Sequence, residues 1–117
     1  MDPADRFVTL INAPEPAPHL DVLCGLMCEA FDPAASVGGI CRELDTLTDG
    51  VTPSFEGVMA SLFASGLFVG DVDQYHAVEN SLLHRVLERR SGMPITLSVV
   101  AIEVARRLGV ALYGVGL

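Results

Sequence analysis

Apolar residues recur at intervals of three and four along much of the chain, which is the spacing of one buried face of an α-helix. The first predicted helix covers Leu20 to Phe31. A second covers Ala34 to Leu47, with Asp32-Pro33 as its N-cap and first-turn proline. A third begins at Thr52-Pro53, and glycines close it at residues 66 and 70.

A fourth helix follows Asn80, whose side chain can serve as its N-cap. Its leucines and Val86 fall on one face, which predicts that the charged residues of the other face lie in solvent. His84 is on that outer face, and we expect it to pair with Glu88 one turn later.

The fifth helix, Pro94 to Leu108, is apolar around nearly its whole circumference. A helix of this kind is buried by neighbours on several sides, so it is predicted to be the central helix of the fold. Glu103 interrupts the apolar run, and it is expected either to lie at the one solvent-exposed edge of the helix or to pair with Arg106 or Arg107.

Residues 110–117 are β-prone and are predicted to form a strand. A lone strand is not stable, so we expect partner strands from a longer protein, or a homodimer formed through the strand edge. The predicted fold is a single, truncated domain that is mainly α, and α+β when complete. It comprises an extended Pro-rich arm (1–19), a helical part (20–66) and the start of a core (67–117).

The charge balance limits the possible partners. The net charge is −8, and the chain has no lysine, which argues against nucleic-acid binding. No apolar run reaches the 18 residues of a membrane span, and no signal peptide is recognisable, so a cytoplasmic protein is expected. Half of the residues are hydrophobic, which is ample for a core. The positive mean hydropathy of +0.45 favours a surface that meets another protein.

Cysteines offer one candidate metal site. Cys24 and Cys28 are four residues apart on one helix, His19 lies just upstream, and Cys41 is on the next helix. These four are weak candidate ligands, because structural zinc usually takes tighter spacings. Packing of the three thiols in the core is the preferred interpretation, and neither a metal nor a cofactor is predicted.

The last fifty residues carry a resemblance to a known family. They are similar to the SirB type of the transglutaminase-like family, and 20–47 resembles its helical N-terminal part more loosely. The matching positions are Phe68-x-Gly70, Tyr75, Asn80-Ser81-x-Leu83, Val86-Leu87-x-x-Arg90-x-Gly92-x-Pro94-Ile95-x-Leu97-Ser98, Ala105-x-x-Leu108-Gly109 and Gly114-Val115-Gly116.

The resemblance implies a papain-like core in which a Gly-x-Cys places a nucleophile at the start of the central helix. In this sequence Gly92 matches the glycine and Pro94 takes the place of the cysteine. The family's strand histidine would follow Leu117. Thr96, Ser98 and His76 are weak catalytic candidates, and Ser98 is expected instead to bond back to a helix carbonyl.

The leading hypothesis is therefore a non-catalytic, regulatory or protein-interaction module. Its peptide groove would lie at the start of the central helix, edged by Asn80, Arg90, Gly92, Pro94, Thr96 and Ser98. Two alternatives stay open: an acyl-transfer or hydrolase enzyme with further active-site residues beyond Leu117, and a metal-binding helical module.

Overall fold

The structure is a computed structural model that describes Pro3, residues 20–70 and residues 82–112. Its helices are α1 (Leu20–Phe31), α2 (Val37–Thr46), α3 (Phe55–Met59), α4 (Leu83–Arg89) and α5 (Pro94–Arg107), and its strands are β1 (Val69–Gly70) and β2 (Ser91–Gly92). The predicted arm over 1–19, the loop over 71–79 and residues 113–117 lie outside the described residues, apart from Pro3.

α1 has the predicted bounds, whereas α2 begins three residues later than predicted. Asp32 does not cap α2: its Oδ1 accepts a hydrogen bond from the backbone N–H of Ala34 at 2.9 Å, which closes a turn. Ser36 caps the helix instead, because its Oγ accepts from the N–H of Gly39 at 3.0 Å.

α3 also begins later than predicted, at Phe55, because Ser54 is its N-cap and accepts from the N–H of Gly57 at 3.0 Å. Gly57 is required there, since a Cβ at this position would lie 2.2 Å from the carbonyl oxygen of Thr52. α3 continues into a π-helical turn, Ala60–Ala64, and Gly66 (φ +83°) follows. Gly70, expected to close this helix, belongs to β1.

The two strands form an unpredicted parallel pair. Val69 is opposite Ser91, and Gly70 is opposite Gly92. α4 lies between them in sequence and begins at Leu83, with Leu82 as its N-cap residue; the predicted cap Asn80 lies outside the described part. This pairing holds β2, which leads into α5, beside β1, which follows the π-helical turn.

α5 is the central helix, as predicted. It packs against α1, α2, α3 and α4, and Val100, Val104 and Ala105 are fully buried. The rest of the core comes from all the surrounding helices. Its fully or almost fully buried members include Leu26, Ile40, Leu44, Val58, Leu62, Phe68, Leu83, Val86 and Leu87.

Gly109 (φ +79°) follows the end of α5, as the sequence indicates. Residues 110–112 of the predicted terminal strand are not in a strand, so this prediction is wrong for them. The mainly α fold class is confirmed, with the short parallel sheet as its β component. None of the helices in the described ranges has the length and hydropathy needed to cross a bilayer.

Candidate functional site

The start of α5 is the position at which the sequence places its candidate chemistry. β2 runs directly into Met93, an extended N-cap residue (φ −74°, ψ 153°) without a side-chain capping bond, and Pro94 is the first helical residue. Proline suits this position because the first helical N–H needs no intrahelical acceptor. The N–H groups of Ile95 and Thr96 also lack intrahelical acceptors, so the helix start offers two backbone donors.

Neither hydroxyl near this helix start is set up as a nucleophile. Thr96 is 7% exposed. Ser98 is exposed, but its Oγ donates to the carbonyl oxygen of Pro94 at 2.8 Å, as the sequence predicts. His76 lies outside the described residues, and the described histidine, His84, bonds to Asp32.

Exposed apolar side chains flank this helix start. Ile95, in the first turn of α5, is 71% exposed, and Val69, on the strand paired with β2, is 54% exposed. Apolar surface that stays in water is unfavourable, so these residues supply a surface suited to another apolar group.

A cavity of about 450 Å³ lies between α4 and the segment from residue 34 to residue 43; we call it the α2–α4 cavity. Its apolar lining comes from Ala34, Ala35, Ile40 and Leu87, and its polar lining from Ser36, Glu43, His84, Glu88 and Arg90. Of the predicted groove residues, Arg90 lines this cavity, whereas Gly92, Pro94, Thr96 and Ser98 do not.

The sequence predicted that His84 lies in solvent and pairs with Glu88, and this prediction is wrong. Its side chain is 13% exposed, and its Nε2 lies 2.9 Å from Oδ2 of Asp32. Glu88 instead accepts from Arg85 at 2.8 Å on the surface. The N–H of Ala34 and the His84 ring both hold the pKa of Asp32 below its usual value.

Two polar atoms beside this cavity have no partner. Nδ1 of His84 and Nη1 of Arg90 are buried, and neither makes a hydrogen bond within the described ranges. The Arg90 guanidinium lies over the ring of Phe68, 5.0 Å from its centroid. Arg90 also adopts a left-handed backbone conformation (φ 60°, ψ 25°) at the end of α4.

A second group of polar side chains lies at the opposite end of α5, where Asp21 of α1 meets Glu103, Arg106 and Arg107 of α5. We call these four residues the arginine cluster. Oδ2 of Asp21 accepts from Arg107 at 2.6 Å and from Arg106 at 3.2 Å. The Glu103 carboxylate, 2% exposed, accepts from the same two arginines at 2.8 to 3.3 Å. The predicted pairing of Glu103 is confirmed, and it extends to α1.

These contacts set the protonation of the cluster. Burial alone would raise the pKa of Asp21, but the hydrogen bond from Arg107, the N–H of Val22 and the two positive charges lower it below its usual 3.8. Burial also opposes the charge of Arg107, yet its bonds to Asp45, Asp21 and Glu103 raise the pKa of the guanidinium. Asp21 and Arg107 are therefore held in their ionised forms.

With this geometry described, the chain can be compared with known proteins. A sequence profile described as the transglutaminase-like superfamily matches residues 37–117, which is more than half of the chain. This chain belongs to that superfamily. The SirB type within it stays a prediction.

Individual proteins that are similar to the chain are longer than it is. A UPF0162 protein of Pseudomonas aeruginosa is 35% identical over 124 residues, covering 98% of this chain and 45% of that protein. A UPF0162 protein of Xylella fastidiosa is 52% identical over 54 residues, or 46% of this chain and 19% of that protein. The chain thus spans less than half the length of these relatives.

A eukaryotic protein also shares part of the sequence. F-box only protein 21 of Mus musculus is 44% identical over 45 residues, covering 38% of this chain and 7% of that protein. No solved structure matches the chain.

None of the three thiols of this transglutaminase-like chain belongs to a group of metal ligands within the described residues. Cys28 is 1% exposed in the core, and Sγ of Cys41 donates to Asp21 at 3.5 Å. Burial, followed by the nearby Cys28, Glu103 and Asp21, raises the pKa of Cys24 to about 11. Across residues 20–70 and 82–112, no three His, Cys, Asp or Glu side chains are placed to hold a metal ion; His19 lies outside these ranges.

Sequence reasoning missed the α2–α4 cavity. It depends on contacts between residues far apart in the chain, such as Asp32 and His84, which are separated by 52 positions. One local feature of the sequence could have drawn attention to Arg90. Glycine is the usual residue directly after a helix, and arginine is uncommon there.

Proposed function

We propose that this chain is a non-catalytic member of the transglutaminase-like superfamily that acts as a regulatory, protein-interaction module. Its peptide-binding groove lies at the start of α5. The observation that carries this proposal is Pro94 at the first position of the central helix, where the resemblance places a cysteine nucleophile. Proline has neither a thiol nor a backbone N–H.

The surrounding hydroxyls support a non-catalytic role. A serine nucleophile needs a base within hydrogen-bond reach, but Ser98 donates its proton to the Pro94 carbonyl. Thr96 is buried. The bond of Ser98 and the burial of Thr96 both argue against their replacing the missing thiol.

The same helix start has the features that suit an extended peptide. The N–H groups of Ile95 and Thr96 can donate to a peptide carbonyl or a C-terminal carboxylate. The exposed side chains of Ile95 and Val69 can contact an apolar residue of that peptide. Backbone bonds would supply affinity and the apolar contacts selectivity, as in other modes of extended-peptide recognition.

A peptide array tests the binding part of this proposal with the full-length protein. Ile95→Asp should abolish binding of apolar peptides, because it places a negative charge beside the donors. Phe31→Asp is the matched control: Phe31 is 72% exposed, close to the 71% of Ile95, but lies at the end of α1. Equal loss of binding in both variants, or no loss in either, would contradict the groove.

An activity assay tests the non-catalytic part. The full-length protein is incubated with a glutamine-containing peptide and a fluorescent amine, and separately with fluorogenic ester and peptide substrates. We expect no turnover above the buffer rate. Turnover that disappears in Ser98→Ala or Thr96→Val would overturn the proposal in favour of an acyl-transfer or hydrolase enzyme.

A further inference from the structure

The α2–α4 cavity is separate from the helix start, and its chemistry is different. It is lined by the end of α4, the first turns of α2 and the turn before α2. Its volume of about 450 Å³ lies at the lower end of the range of small-molecule sites, roughly 300 to 1,000 Å³. It has an apolar lining on α2 and α4 and polar groups of both signs, so it is a candidate binding site in its own right.

Arg90 provides the positive part of this site. Its Nη1 is buried without a hydrogen-bond partner in the described part of the chain. An unpaired buried donor is unfavourable, and so is a left-handed backbone conformation at a residue other than glycine. Glycine at this position would avoid both costs. A carboxylate in the cavity can accept from the guanidinium of Arg90, which lines it.

His84 and Glu43 provide the part of the site that can accept a positively charged group. When Nε2–H of His84 donates to the Asp32 carboxylate, Nδ1 is an acceptor, and it has no donor among the described residues. Glu88 is paired with Arg85, whereas no ion pair joins Glu43 to another described residue. A ligand ammonium in the cavity can approach the His84 ring and the Glu43 carboxylate, because both side chains line it.

The remaining lining is aliphatic. Ile40 and Leu87 face the cavity from opposite helices, with Ala34 and Ala35 beside them. Burial of an aliphatic side chain against them contributes about 25 cal/mol for each Å² removed from water. Ser36 is the N-cap of α2 and makes no bond to Nδ1 of His84, so the cavity is equipped for binding and not for nucleophilic chemistry.

We propose that the α2–α4 cavity binds a small aliphatic amino acid as its zwitterion, with the carboxylate on Arg90, the ammonium between His84 and Glu43, and the side chain against Ile40 and Leu87. This site goes beyond the peptide groove proposed above and does not depend on it.

A ligand series tests the assignment with the full-length protein by two-dimensional NMR or calorimetric titration. L-leucine is the probe. 4-Methylpentanoate lacks its ammonium, 3-methylbutylamine lacks its carboxylate, and leucinamide replaces the carboxylate with a neutral amide. We expect L-leucine to bind, and each of the other three to bind at least tenfold more weakly. Equal binding of 4-methylpentanoate, 3-methylbutylamine or leucinamide, or no binding of L-leucine at about 10 mM, well above a 1 mM dissociation constant, would overturn the proposal.

Variants then locate the bound molecule. Arg90→Gly relieves the left-handed backbone and removes the guanidinium, so the protein should fold and bind L-leucine at least tenfold more weakly. Glu43→Gln should weaken L-leucine but not 4-methylpentanoate. Arg42→Gln is the control, because Arg42 is an exposed neighbour on α2 that does not line the cavity. Unchanged affinity in Arg90→Gly, or equal loss in Arg42→Gln, would contradict the assignment. These results are independent of the peptide-array result.

Discussion

The arginine cluster and the α2–α4 cavity use the same kinds of side chain in opposite ways. In the cluster, both carboxylates accept from Arg106 and Arg107, and each of the four residues is paired. In the cavity, Arg90 and His84 each keep a buried polar atom without a partner among the described residues. Native proteins rarely leave such groups unpaired. The first region is therefore explained by stability, whereas the unpaired atoms of the second support the binding site proposed above.

The largest expected effect is a loss of stability in the cluster. Arg107→Met keeps the aliphatic stem but leaves Asp21 and Glu103, which are 5% and 2% exposed, with only Arg106. We expect the free energy of unfolding to fall by about 3 kcal/mol, because breaking a buried ion pair leaves uncompensated charge. Urea denaturation measures it. Arg106→Met should cost clearly less, since Arg106 is 36% exposed; equal costs would contradict the cluster geometry.

A smaller effect is expected from Asp21→Asn, and it should depend on pH. The pKa of Asp21 is lower in the folded chain than its usual 3.8, so the unfolded chain binds its proton first as the pH falls. The stabilisation is therefore complete above this value and disappears as the pH falls through the lower, folded pKa. At pH 7 the variant should be less stable by about 2 kcal/mol, the cost of disturbing a buried charged hydrogen bond.

The measurement is the difference in the free energy of unfolding between Asp21→Asn and the unsubstituted chain, taken from neutral pH down to the acid limit of folding. Because other carboxylates titrate in both proteins, the difference isolates Asp21. A difference that stays constant below pH 3.8, or that grows in acid, would show that Asp21 is not held ionised by the arginines.

The smallest change in the free energy of unfolding is expected for Arg90→Met, which tests the contrast between the cluster and the cavity most directly. It repeats the substitution made at Arg107, but the arginine that it removes has an unpaired donor. The lost contact with Phe68 costs about 0.5–1 kcal/mol, and removal of the unpaired buried donor offsets it. Urea denaturation should show a change within about 1 kcal/mol of zero. A loss as large as that of Arg107→Met would mean that Arg90 is structural.

Local features of the fold were predictable from sequence. The bounds of α1, the central position of α5 and the bond of Ser98 to the Pro94 carbonyl all depend on helical spacing within a few residues. The pairing of Glu103 also follows from spacings of three and four on one helix. These features are determined by neighbours in sequence, and periodicity reports such neighbours.

Features that depend on competition or on distant contacts were not predicted. Ser36 caps α2 in place of Asp32, and Ser54 caps a helix that was predicted to begin at Thr52-Pro53. Several residues in each segment can cap, and the tertiary fold selects one. His84 found Asp32 instead of its helical neighbour Glu88. The β1–β2 pair joins residues about twenty positions apart, and each strand is only two residues long.

The arginine cluster has a consequence for synthesis on the ribosome. Asp21 is separated from Arg107 by 86 positions, so a growing chain displays α1 long before either arginine has been made. During that interval the Asp21 carboxylate can be buried only without its counter-charges, which is strongly unfavourable. We therefore expect α1 to dock in its native position only after α5 has left the exit tunnel.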